Sequence, residues 1–158
     1  MQLIASLKII NFINITNNLK QMAKEKSCGT IVFNKDGDEI KYLILHYGEG
    51  HWDFSKGHVE NNETEQQTAL RELKEETGIS YVQFQDGFRE VINYYFRHEH
   101  ETIYKEVIFF LAETSTEEVK ISFEHVGYAW LSFEKALEKL TFRNAKDLLV
   151  KAQKFLSK

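Results

Sequence analysis

A chain of 158 residues with 42% hydrophobic and 13% aromatic content can bury one sizeable core, which excludes a disordered chain and leaves no room for two comfortable domains. Its formal net charge of -4, with no long basic run, excludes a surface built for duplex nucleic acid, so a polyphosphate would have to be met by a local cationic patch or by metal. The single cysteine, Cys28, excludes an internal disulfide and fits a reducing, cytoplasmic compartment; nothing around it supports a thiol nucleophile.

Residues 1–26 read as an N-terminal extension. The stretch is apolar but interrupted by Lys8, Asn11 and Asn14, too short and broken for a membrane span. It also lacks the basic start and cleavage site of a secretory signal. Met22-Ala23-Lys24-Glu25-Lys26 is a natural start, so the extension is expected to lie peripheral to the fold or to be absent from the native product. The alternative is a helix docking on a membrane surface or a partner. The domain proper is placed at residues 27–158.

Two β-branched and aromatic runs follow, Gly29 to Phe33 and Tyr42 to His46, with Asp36-Gly37 as the turn of a hairpin. A loop, Tyr47-Gly48-Glu49-Gly50, leads into His51-Trp52-Asp53-Phe54-Ser55-Lys56-Gly57-His58-Val59-Glu60. Further strands are expected at Tyr81 to Phe84, Phe88 to Phe96, Ile103 to Ala112 and Val126 to Leu131. A capped helix is expected from about Phe133 to Leu140. A second starts near Phe142, with Ala145, Leu148, Leu149, Ala152, Phe155 and Leu156 on one face. A strand-rich middle with helices before and after predicts an α/β protein, a three-layer α/β/α sandwich around a mixed β-sheet.

The most informative helix precedes the third of these strands. Thr64 and Gln67 have the spacing of a capping box, and Gly78 that of a left-handed stop. Between them Glu72, Glu75 and Glu76 stand at i, i+3 and i+4 and share one side, while Ala69, Leu70, Leu73 and Thr77 form a neighbouring side that can pack on a sheet. Three carboxylates on one ridge oppose each other's ionisation. A solvated helix would interleave lysines; here Arg71 is the nearby cation and Lys74 lies on the far side. Magnesium or manganese, which prefer hard carboxylate oxygens, would relieve the repulsion directly.

The pattern Gly57, Glu63 and Arg71-Glu72-Leu73-Lys74-Glu75-Glu76-Thr77-Gly78-Ile79 resembles the Nudix box of hydrolases acting on nucleoside-diphosphate-linked substrates. The flank from Trp52 to Glu60 is similar to that of diadenosine tetraphosphate hydrolases of the animal and archaeal type, which usually read Trp-x-x-Pro-Lys-Gly-His-Val-Glu. Ser55 stands where that group has proline. Asn93-Tyr94, Lys105 with Val107, and Glu124-His125 followed by Tyr128, Trp130 and Leu131 extend the likeness over about Cys28 to Leu156. The fold it implies is the one read above from the elements.

The resemblance implies a Mg²⁺-dependent enzyme, with Mn²⁺ as an alternative, that splits diadenosine tetraphosphate asymmetrically into ATP and AMP. Glu72, Glu75 and Glu76 would hold the metal with the Gly57 carbonyl. Glu63 would support that shell, and Glu124 would add a fourth acidic group. Glu75 or Glu76 would take the proton of the attacking water, and Arg71 would orient the glutamates through paired hydrogen bonds. Lys56, His51 and Lys105 are the candidates for gripping phosphates. Tyr94 and Tyr128 are the candidates for sandwiching a base, with Tyr47 and Phe142 as further members of that pocket. His125 would help to position its loop. His98 and His100 lack the further ligands a zinc site needs.

The expected partner is a dinucleoside polyphosphate or other nucleotide, with no duplex nucleic acid and no membrane, and the expected state is a monomer. The alternatives are a pyrophosphohydrolase for RNA 5′ ends, nucleoside triphosphates, ADP-ribose or inositol pyrophosphates, and a non-catalytic nucleotide-binding module.

Overall fold

A computed structural model of the protein describes residues 22–158. The extension assigned to the start of the chain falls outside the described residues up to position 21. Its last part does not: β1 (Lys24–Asp36) already includes Lys24, Glu25 and Lys26. Gly37, at φ 62°, turns the chain back into β2 (Glu39–Tyr47), antiparallel to β1 with Phe33 opposite Tyr42. Then come β3 (Trp52–Asp53) and β4 (Ser55–His58), followed by α1 (Glu65–Thr77). After α1 come β5 (Gln83–His98), β6 (Glu101–Glu113), β7 (His125–Leu131), α2 (Phe133–Lys139) and α3 (Arg143–Leu156). The sheet runs β3-β2-β1-β6-β5, with β4 paired to β1 and β7 paired to β2.

Strand alternation sorts the side chains onto two faces. On one face Val32, Leu43 and Leu45 meet Leu73 of α1 together with Ile79 and Val119, while Cys28, Ile108 and Phe110 surround Ala69. On the other, the Tyr42 hydroxyl donates to Gln153 Oε1 of α3 at 2.7 Å, and Phe88 meets Phe155 edge-on. One helix on one face and α3 on the other make the three-layer α/β/α arrangement around a mixed sheet.

The structure departs from the expected elements along β5. The strands expected at Tyr81 to Phe84 and from Phe88 form one strand, β5, which begins only at Gln83. Gly87 adopts φ 87°, a value glycine tolerates, so the strand bends there without ending. The histidine-rich stretch makes a tight turn at Glu99-His100, with Glu99 at φ 54° and His98 still in β5.

The chain divides into two compact units. The larger, Lys26–Ile92 with Val107–Lys158, holds both core clusters and α1, α2 and α3. The smaller joins the described residues 22–25 to Asn93–Glu106. Within it Tyr104 donates its amide to Ala23, Lys105 lies 3.7 Å from Glu25, and the Lys105 ammonium stands over the Phe96 ring. Tyr94 meets Phe96, and Tyr95 meets Tyr104, as tilted ring pairs.

Candidate active site

The start of α1 is fixed by its own sequence. Thr64 Oγ1 accepts from the Gln67 amide at 3.2 Å while Gln67 Oε1 accepts from the Thr64 amide at 2.8 Å. Gly78, at φ 75°, ends the helix by donating its amide to the Lys74 carbonyl. With both ends set and Leu73 and Ala69 buried against the sheet, the face bearing Glu72, Glu75 and Glu76 is aimed at β4 and the β2 end.

Arg71 is the hub of that face. Its Nε donates to Glu63 Oε1 at 2.8 Å, one terminal nitrogen donates to Glu72 Oε1 at 2.8 Å, and the other donates to the His58 carbonyl at 2.8 Å. The nitrogen that serves Glu72 also reaches Glu75, at 3.3 and 3.4 Å. Both Glu63 oxygens are engaged, because Oε2 accepts from the Thr68 hydroxyl at 2.7 Å. The Arg71 and Thr68 hydrogen bonds hold the Glu63 carboxyl below the usual range. The Glu72 carboxylate occupies the space beside Gly57 where any Cβ would stand, so a larger residue there would have to displace that carboxylate. Burial raises the Glu72 pKa; Arg71 opposes the rise, and the charges of Glu76 and Glu75 add to it.

Glu76 is buried one turn further on. The Tyr47 hydroxyl lies 3.4 Å from its Oε2 and donates to the Phe54 carbonyl at 3.0 Å. His125 Nε2 lies 3.1 Å from the same Oε2, a close contact without the alignment of a good hydrogen bond. Burial raises the Glu76 pKa, against the pull of His125 and the Lys56 charge; Glu124 pushes the same way as burial. Around this carboxylate the rings gather. Tyr47 stacks on His51 at 4.5 Å, His51 meets Phe142 at 5.3 Å, and the Lys56 ammonium stands 5.1 Å over Tyr47.

The structure therefore gathers Gly57, Glu63, Arg71, Glu72 and Glu75 in one cluster and Tyr47, His51, Lys56, Glu76 and Phe142 in a second, joined along α1. Glu124 supplies its carbonyl to the Gly48 amide, and its charge acts on both Glu76 and Tyr47. Tyr128 stands opposite Leu45 across the β2–β7 ladder, which puts it on the α1 face, and is 42% exposed. Tyr94 and Lys105 belong to the smaller unit described above.

Three features escape the sequence reading. Asp53 holds the Lys56 ammonium at 2.7 Å while its other oxygen accepts from the Phe54 amide, so Lys56 enters the site already paired. Their i,i+3 spacing was the only hint. Tyr47 acts through its hydroxyl as well as its ring. Ser122 reaches His125 Nδ1 at 3.0 Å, with no signal in the sequence.

The NUDIX domain family matches residues 24–152. A bis(5′-nucleosyl)-tetraphosphatase (asymmetrical) of Mus musculus is 37% identical over 143 residues, covering 83% of this chain and 95% of that protein. The Caenorhabditis elegans protein of the same name is 31% identical over 144 residues, covering 84% and 96%. A crystal structure of a C. elegans Ap4A hydrolase binary complex superimposes with TM-score 0.74 at 28% identity, over 84% of this chain and 98% of that one. The glutamate helix, its glycine partner and the sheet that carries them are thus those of a Nudix fold. The chain belongs to the Nudix family.

Members of this family generally use divalent metals. Among the described residues no three His, Cys, Asp or Glu side chains converge into a metal cage. The donors nonetheless fit a hard divalent cation. All are oxygens, and the space that glycine leaves at position 57 is filled by the Glu72 carboxylate, beside the backbone of β4. Glu63 differs, because both of its oxygens are taken by Arg71 and Thr68. No helix among the described residues is long and apolar enough to cross a membrane.

Proposed function

We propose that the protein hydrolyses dinucleoside tetraphosphates asymmetrically, diadenosine tetraphosphate to ATP and AMP, with Mg²⁺ as the cofactor and Mn²⁺ able to replace it. The observation that carries the reading is the glutamate ridge of α1, closed against Gly57 and organised by Arg71. The likeness to asymmetrical tetraphosphatases over 95% of the mouse protein supports the substrate.

Glu72, Glu75, Glu76 and the Gly57 carbonyl would hold the cation, with Glu124 at the rim and Glu63 supporting Arg71 from outside the shell. When bound, the cation neutralises phosphate oxygens and acidifies water. Glu75 has the most exposed carboxylate of the three ridge glutamates that would hold the metal, at 58% for the side chain, and only long bonds to Arg71. It is the group free to take the proton as water adds to phosphorus and the bridging P–O bond breaks. Arg71 keeps the carboxylates apart and aligned through the reaction. Lys56, oriented by Asp53, and His51 meet the phosphates. Phe142 and Tyr128 offer ring faces for bases, whereas the Tyr47 ring is already stacked on His51.

The test is incubation with Mg²⁺ and diadenosine tetraphosphate in ¹⁸O-labelled water, followed by mass spectrometry. ATP and AMP, with label on one of them and loss of reaction on chelation, are expected. Two ADP molecules, or an intact substrate alongside hydrolysis of a different nucleotide, would overturn the substrate assignment.

A further inference from the structure

Glu76 is gripped unequally. Tyr47 and His125 both approach Oε2, at 3.4 and 3.1 Å, while no described residue hydrogen-bonds Oε1. Its backbone is tied to the same loop, for the Ser122 amide donates to the Glu76 carbonyl at 3.1 Å. His125 is itself locked. Its side chain is fully buried, its ring packs on Tyr47 at 4.3 Å, and its Nδ1 lies 3.0 Å from Ser122 Oγ. Ser122 Oγ is 3.4 Å from the Glu124 amide, which can only donate. A proton arrangement consistent with these contacts runs Glu124 N–H to Ser122 Oγ and Ser122 O–H to His125 Nδ1, which leaves the His125 Nε2–H facing Glu76 Oε2 at 3.1 Å.

We infer that His125, oriented by Ser122, is a positioning residue that holds Glu76 Oε2 and thereby presents Oε1 to the cation. The inference rests on the function proposed above. A glutamate rotates freely about its last bond, and a carboxylate that exchanges its two oxygens spends part of its time misdirected. Holding one oxygen from the buried side removes that freedom before the ligand arrives. Partners that orient metal ligands are typically worth 10- to 100-fold in metal affinity or activity.

The experiment measures Mn²⁺ binding to the nucleotide-free full chain by electron paramagnetic resonance, with kcat and KM in Mg²⁺ and melting in EDTA. His125→Ala should weaken Mn²⁺ binding about 10- to 100-fold and lower kcat with little change in KM. His125→Gln places an amide N–H near the position of Nε2 and should recover most of the loss. His125→Asn reaches only the Nδ1 position, toward Ser122, and should not. Ser122→Ala, a smaller change to the fold, should give a partial loss in the same direction.

Equal behaviour of the Gln and Asn variants, or effects that track melting alone, would make His125 a core filler and overturn the inference. So would Mn²⁺ affinity unchanged in His125→Ala. A wild-type chain that neither binds Mn²⁺ nor turns over substrate would instead overturn the proposed function on which the inference rests.

Discussion

Removing Arg71 probes the organisation of the glutamate ridge most directly. In Arg71→Ala, Glu72 is left without its 2.8 Å partner, with only 14% of its side chain exposed to water. The His58 carbonyl loses its donor as well. Glu63 keeps Thr68 and has access to water, so its share is small. Charge-assisted hydrogen bonds of this kind contribute about 1.5–3 kcal/mol each, and the solvent access of the cluster pulls the figure down. The Glu72 and His58 losses together come to about 3 kcal/mol in metal-free protein, roughly a 10 °C fall in Tm for a chain of this size.

Arg71→Lys keeps the charge but cannot serve Glu63, Glu72 and the His58 carbonyl together, and should lose about half as much. Urea unfolding followed by circular dichroism, in EDTA and again with Mg²⁺, measures both. Mg²⁺ should return part of the loss in Arg71→Ala, since the cation takes over the neutralisation. A metal-free loss below about 1 kcal/mol, or an Arg71→Lys variant as stable as wild type, would refute the account of Arg71 as the organising group.

Glu76→Gln should lower turnover on the order of a thousandfold while metal-free stability stays within about 1 kcal/mol, measured by steady-state kinetics beside melting in EDTA; a large fall in Tm would mark Glu76 as structural instead. Glu65, at the first turn of α1, is held by Arg89 and Lys26, and the Arg89 hydrogen bond brings its pKa down to about 2. Because that value is depressed, its stabilisation is present above the unfolded carboxylate range near about 4.3 and is lost as pH falls toward 2. Wild type should therefore exceed Glu65→Gln by about 1 kcal/mol at neutral pH, a figure limited by solvent screening, and the gap should close between about pH 5 and 2; a gap independent of pH in that range would refute the pairing. Ser55 carries a buried hydroxyl with no hydrogen-bond partner, so Ser55→Ala should raise metal-free stability by about 1 kcal/mol in urea unfolding, and a loss would show that the hydroxyl is satisfied.

Much of the architecture was written locally. The capping pair Thr64 and Gln67, the stop at Gly78 and the i, i+3, i+4 carboxylates depend on residues within a turn or two of one another, so spacing alone places α1 and its acidic face. The hairpin at Gly37 follows from the same kind of short-range chemistry. At Gly87 the local pattern falls short: a glycine that breaks a strand and a glycine that merely bends it read alike until the neighbouring strand is in place.

The sequence by itself determined the family, the layer arrangement and which helix face carries the carboxylates. Only the tertiary structure decided what each carboxylate meets. Arg71 could have turned to solvent; instead the His58 carbonyl and Glu63, both ahead of the helix, draw it across the ridge. Lys56 is paired by Asp53 before any phosphate arrives. Glu76 and His125 lie almost fifty positions apart, and Tyr47 precedes both. They meet because β2 pairs with β7 beneath the end of α1, with a register shift between His46 and Tyr47. Side-chain periodicity records which way a residue faces, whereas contacts across the sheet depend on pairing and register, which no local pattern along the chain contains.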